Sequence, residues 1–243
     1  MLRHWPVRIS LVAVLLLVLG PLLAFLGVLP GFVGFIAFAL GALVGFIGVV
    51  AGIIGALRGQ SRPGMVAVAL GLLTIVAVLF PAMTAGKHPR INDISTDLED
   101  VPAFSQAAAL PGNEGRNLSY PAEFKPIVRE SYKDLKPLRV SGAPDAVFER
   151  AVALAKEQPR WQVTAVDPQA RTFEGVVETG IFRFRDDFVV RVRPDGEATR
   201  VDMRSKSRVG KGDLGANAKR IEQFLQGLAT RAGAGTEKPE AGR

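Results

Sequence analysis

The hydrophobic pattern of this chain changes character near residue 85. Before it, apolar residues run almost unbroken through residues 9–29, 32–57 and 65–83. A hydrocarbon core about 30 Å thick is crossed by roughly 20 residues of helix, so each run predicts one transmembrane helix. The Leu29-Pro30-Gly31 turn between the first two is short, which predicts a helical hairpin. From residue 85 to about Leu138, Pro89, Pro102, Pro111, Pro121, Pro126 and Pro137 interrupt any period and predict an irregular strap packed on a domain.

The patterned part of that domain begins with a short strand at Leu138–Val140. A helix marked by Ser141 and Pro144 follows, with Val147, Ala151, Leu154 and Ala155 at helical spacing. Residues 161–166 alternate, Asp167-Pro168-Gln169-Ala170 turns the chain, and 171–178 completes a hairpin. Residues 181–184 and 188–193 alternate again, Pro194-Asp195-Gly196-Glu197 makes another turn, and 199–208 is the last strand. Asp213 is expected to cap a final helix reaching about Leu228, with Leu214, Ile221, Leu225 and Leu228 turned inward. The fold class is therefore α+β: a three-helix membrane anchor over residues 1–84, then a soluble domain over 85–228 whose antiparallel sheet is covered by two helices on one face. Residues 229–243 are too poor in apolar side chains to bury themselves, which predicts a disordered tail.

Successive side chains on a strand point to opposite faces, so the pattern also predicts the uncovered side of the sheet. Val201, Met203, Ser205 and Ser207 share one face of the last strand, against Arg200, Asp202, Arg204, Lys206 and Arg208 on the other. Phe182, Phe184, Val190 and Val192 likewise oppose Arg183, Arg185, Arg191 and Arg193. This predicts a cationic face diluted only by Asp202, Glu174 and Glu178. Such a face reads either as a contact surface for anionic headgroups, worth about 1 kcal/mol per basic residue, or as a solvated outer face.

Charge adds a direction. All 23 acidic residues lie at or beyond Asp93, and the anchor carries only Arg3, Arg8, Arg58 and Arg62 as charged residues. Cationic short loops stay cytoplasmic, so the third span delivers the soluble domain to the periplasm of a Gram-negative host, against the weaker opposing signal of Lys87, His88 and Arg90. The expected location is the cell inner membrane, multi-pass. The spans contain no ionisable group, and their hydroxyls, Ser10 and Thr74, can each bond a carbonyl one turn back, which argues against an ion pathway. Gly41, Gly45, Gly48, Gly52 and Gly55 line one face of the second span. That stripe reads either as a homo-oligomer surface through Gly41, Gly45, Gly48 and Gly52 or as packing within the chain.

Candidate chemistry is sparse. The chain has no Cys, and its two histidines, His4 and His88, flank the spans. Thiol catalysis, disulfides, a Ser-His-Asp arrangement inside the domain and Cys or His zinc sites are excluded. No cofactor or metal is predicted, since Asp93, Asp97, Glu99 and Asp100 lack the spacing of an oxygen-rich calcium loop. Asp186 and Asp187 are expected in a turn between strands. The net charge of +7 invites nucleic acid, but the few aromatics near the basic strands alternate away from that face, so no nucleic-acid partner is expected.

The turn after the last strand is more specific. Gly210 and Gly212 permit a tight reversal and Asp213 a helix cap. Arg204, Lys206, Arg208, Lys211, Asn217 and Arg220 then form a candidate anion or partner site near a helix N-terminus. The alternative is a buried network locking that helix to the sheet.

Three stretches carry a family resemblance: PRINDISTD at 89–97, FRFRDD at 182–187, and RSKSRVGKGDLGANAKRI at 204–221. Together they resemble the domain-of-unknown-function family 1499 over about residues 87–228. The resemblance implies a bacterial envelope setting, with the membrane segment a variable addition, and supplies no activity or ligand. The leading expectation is a non-enzymatic envelope protein, the membrane itself its first partner, binding an anionic lipid, polymer or envelope protein. The alternatives are a carboxylate-dependent hydrolase with a cleft on Asp93, Asp187 and Asp213, and a carrier enclosing an apolar ligand between helix and sheet.

Overall fold

The computed structural model describes residues 4–84 and 88–232. Arg3, Lys87 and the expected tail from residue 233 lie outside the described residues. The chain divides into two compact units, and the first holds three helices: α1 (Trp5–Phe25), α2 (Gly31–Leu57) and α3 (Ser61–Thr84). Each is long and apolar enough to cross a membrane. α1 ends earlier than the apolar run because Gly27 takes φ +73, and the amides of Gly27 and Val28 return to the carbonyls of Ala24 and Leu23 at 3.0 and 2.9 Å. This pattern satisfies carbonyls that the last turn leaves open, and Pro30 instead starts α2.

The glycine stripe is consumed inside this bundle. A Cβ added at Gly41 or Gly48 would meet α1, 3.2 Å from the Ala13 carbonyl or 2.3 Å from Ser10 Oγ. At Gly45 or Gly52 it would meet α3, 1.9 Å from Thr74 Oγ1 or 2.6 Å from the Gly64 carbonyl. α2 is thus the middle helix, and bare backbone on two adjoining flanks lets both neighbours approach closely. The residues that suggested a homo-oligomer surface are covered by α1 and α3. Ser10 departs from its expected local bond: its hydroxyl donates across to the Ala67 carbonyl at 2.8 Å, whereas Thr74 bonds Gly71 within its own helix at 2.8 Å.

The first unit also takes in Thr179–Phe184. These residues form a loop rather than the expected strand, and the Phe182 ring meets Phe35 and Phe38 with centroids 5.5 and 5.6 Å apart. Phe182 and Phe184 are therefore not inward-facing strand residues. Four alternating positions do not distinguish a strand from a loop whose apolar partners lie elsewhere.

The second unit comprises His88–Glu178 and the residues from Arg185 on. It contains β1 (Asp93–Ser95), α4 (Phe124–Ser131), β2 (Leu138–Val140), α5 (Pro144–Glu157), β3 (Trp161–Asp167), β4 (Thr172–Glu178), β5 (Arg185–Asp195), β6 (Ala198–Ser207) and α6 (Ala216–Ala232). The strands pair antiparallel in the order β1-β6-β5-β4-β3, with β2 also on β6. One face carries α5 and α6. Val147, Ala151 and Leu154 of α5 and Ile221, Phe224 and Leu228 of α6 pack on Phe173, Phe188, Val190, Val192, Val201 and Met203 of the sheet. Period-2 alternation placed Val190, Val192, Val201 and Met203 on this face because one face alone excludes water.

Three local expectations are corrected. Asp186 and Asp187 lie within β5, since the reversal occurs at 179–184. Leu214 is 60% exposed in the turn before α6 instead of on its buried face. α6 continues past Leu228 to Ala232.

Candidate functional site

The sheet face opposite α5 and α6 carries the predicted basic row, but it is not bare. The strap over residues 96–120 crosses it and brings carboxylates and carbonyls to the cations. Arg204, buried with 2% of its side chain exposed, donates through Nε and Nη2 to Asp93 at 2.9 and 2.8 Å. It also bonds the Pro102 and Leu118 carbonyls at 3.2 and 2.7 Å and lies 4.6 Å over the Phe104 ring. Lys206 Nζ donates to the same Asp93 carboxylate at 2.8 Å. Two cations and one carboxylate are buried together here, an arrangement stable only with its pairs intact.

Toward the β5–β6 turn, Asp97 and Asp202 neutralise three arginines. Arg200 reaches Asp97 at 2.7 Å and Asp202 at 2.9 Å, Arg193 reaches them at 3.0 and 2.8 Å, and Arg191 joins both at 3.5 Å. Burial works against ionisation of Asp97 and is the largest single influence. Amide hydrogen bonds from Asp100 and Glu99 and the Arg200 charge together outweigh it, so its carboxyl sits below the ordinary value. Glu174 of β4 pins the strap by accepting from the Ser105, Gln106 and Ala107 amides at 2.5, 3.1 and 2.8 Å. Asp187 accepts from Arg208 at 2.6 Å and from Asn113 at 3.0 Å.

The six residues singled out from sequence therefore separate. Arg204, Lys206 and Arg208 face the strap. Asn217 and Arg220 lie on the α6 side: Asn217 accepts from Ser205 at 2.7 Å and donates to Ser207 at 2.9 Å, and Arg220 donates to Asp186 at 2.6 Å. Burial pushes the Asp186 carboxyl up, the Arg220 charge only partly countering it. Asp213 accepts from the Gly215 and Asn217 amides at 2.9 and 2.8 Å, which caps α6. Gly210 turns with φ +89, while Gly212 does not need a positive φ and packs beside Arg90. Lys211 is exposed. This geometry is the helix-to-sheet lock that the sequence offered as the alternative to a pocket.

One end of the basic face escapes the strap. Across consecutive strand ends, Arg208 donates its amide to the Arg185 carbonyl at 3.1 Å, Arg185 pairs in register with Glu178, and the Glu178 amide reaches the Arg160 carbonyl at 3.0 Å. These four residues, with Trp161, Gln162 and Val176 beyond them and Leu110 and Pro111 of the strap as a rim, line an open groove of about 450 Å³. Arg208 is held by Asp187 and the Pro111 carbonyl, at 2.6 and 2.7 Å. Arg185 is 53% exposed and meets Glu178 only at 3.5 Å. Arg160 is exposed, with no ion pair among the described residues. Sequence reasoning placed Arg185 on the basic face but missed Arg160, which sits outside any alternating strand. The signal was its place directly after Pro159, in a turn between helix and strand.

Comparison with curated proteins finds no match. Residues 93–228, more than half of the chain, match the family described as "Protein of unknown function (DUF1499)", and they span the strap, the sheet and most of α6 that build this face. On that match the chain belongs to the DUF1499 family, joined here to three N-terminal helices able to cross a membrane.

Proposed function

We propose that this chain is a multi-pass inner-membrane protein of the bacterial envelope whose second unit, on the periplasmic side, recognises an anionic lipid, polymer or protein partner. The observation that carries this reading is the uneven neutralisation of the basic face. Asp93, Asp97, Asp187 and Asp202 absorb the cations under the strap, while at its open end Arg185 has a long contact to Glu178 and Arg160 has no ion pair among the described residues. Exposed, weakly paired guanidinium groups beside an apolar rim attract anions over a range set by salt. The hydrolase reading has no comparable support, because Asp93 and Asp187 are ion-paired and Asp213 is a cap.

The full-length protein in phosphatidylcholine nanodiscs, immobilised on a sensor, tests the reading. Vesicles containing an anionic lipid should bind and release in high salt, and neutral vesicles should not. Equal response to both would overturn it. For orientation, protease added to intact spheroplasts should digest the domain beyond residue 88; protection would reverse the topology.

A further inference from the structure

We infer that the groove at the open end of the basic face is a phosphate site, with Arg160 and Arg185 as its two ligating residues and Arg208 as its fixed inner wall. The inference rests on the anion-binding reading above and names the chemistry of that same surface.

The backbone at Arg160 is the first argument. Residues 158–161 form a turn closed by the Trp161 amide to the Gln158 carbonyl at 3.3 Å, with Pro159 second and Arg160 third at φ +65. That third position favours glycine or asparagine, and an L side chain there is strained. Nothing in the fold uses the guanidinium: the Arg160 carbonyl holds Glu178, and the side chain is exposed without an ion pair among the described residues. A strained residue whose side chain does no structural work marks a site where that side chain serves something else.

The second argument is chemical. Guanidinium forks bind anions through paired N–H donors, and Arg160 and Arg185 extend from strand ends separated by one strand. A planar carboxylate presents its acceptor sites in one plane. A tetrahedral phosphate offers an oxygen pair to each of two forks. The 3.5 Å contact between Arg185 and Glu178 is loose enough for a phosphate to replace it. Val176 lowers the local dielectric beside the forks, and the volume of about 450 Å³ admits a phosphate with a small ester group.

The test uses the full chain in phosphatidylcholine nanodiscs. The chain has two tryptophans, so Trp5→Phe leaves Trp161, in the groove wall, as the only indole. Inorganic phosphate and glycerol 3-phosphate should each give a saturable change in Trp161 emission, with affinity falling about tenfold or more in Arg160→Gly and in Arg185→Gln. Arg160→Gly should melt no lower than its parent, because glycine accepts the turn, which separates lost binding from lost folding. Competition by glycerol 3-phosphate against phosphatidic acid vesicles would identify a lipid headgroup as the source. Soluble phosphate binding without vesicle binding would identify a free phosphate. If neither soluble probe binds the parent while anionic vesicles still do, the phosphate site is overturned and the wider reading stands; if vesicles also fail, both fall.

Discussion

Asp93 of β1 and Arg204 of β6 are joined by two hydrogen bonds, 2.9 and 2.8 Å long, at a point where neither side chain is more than 2% exposed. Lys206 shares the same carboxylate. Because a buried ion pair is costly to leave half-made, Asp93→Asn should destabilise the second unit by about 3–5 kcal/mol. Denaturant unfolding followed by Trp161 emission in the Trp5→Phe background measures this, and a change under about 1 kcal/mol would mean that the cluster is hydrated.

The strap should loosen selectively when its anchor on β4 is removed. Glu174→Ala deprives the Ser105, Gln106 and Ala107 amides of their acceptor. Trypsin should then cut at Arg116, part-buried in the parent, well before the sheet unfolds. Unaltered cleavage kinetics would show that the remaining contacts, among them Arg204 to Pro102 and Leu118, Arg208 to Pro111 and Asn113 to Asp187, hold the strap without Glu174.

The Asp97 carboxyl is held below its ordinary value of 3.8, so the folded state keeps it ionised to lower pH than the unfolded chain does. A lowered carboxyl stabilises above the unfolded value, and that contribution is lost as pH falls through the folded value. Asp97→Asn should therefore melt below the parent at pH 6, and the gap should narrow below about pH 4. Melting curves between pH 2 and 6 check this; a gap constant over the whole range would assign the effect to uncharged hydrogen bonding.

In the membrane unit, Gly52 faces the Gly64 carbonyl so closely that an added Cβ would lie 2.6 Å from it. Gly52→Leu should separate α2 from α3 and cost about 1–3 kcal/mol, the range for overpacking. Thermal aggregation of the full chain in detergent reports it, with the lipid-directed, 58% exposed Phe46→Leu as the neutral comparison.

Much of this architecture was legible in order along the chain. The spans followed from run length, because a bilayer demands a fixed length of apolar helix. α5 and the face assignment of Val190, Val192, Val201 and Met203 followed from local periods, because one-sided burial imposes them. Phe182 and Asp187 were misplaced for a local reason as well. Neither four alternating residues nor an Asp-Asp pair indicates whether the chain is reversing or continuing.

The sequence by itself determined that this protein has an acid-free anchor of three apolar helices followed by a basic α+β domain, and which side of β5 and β6 bears arginine. Only the tertiary structure decided what those arginines meet. Asp93 pairs with Arg204 across 111 positions and Asp97 with Arg200 across 103, so their neutralisation depends on where β1 pairs with β6 and where the strap is laid over the sheet. Charge along a chain is a local property, but its compensation is set by proximity in space. That is why, among the described residues, the basic face closes under the strap and opens beside Arg160.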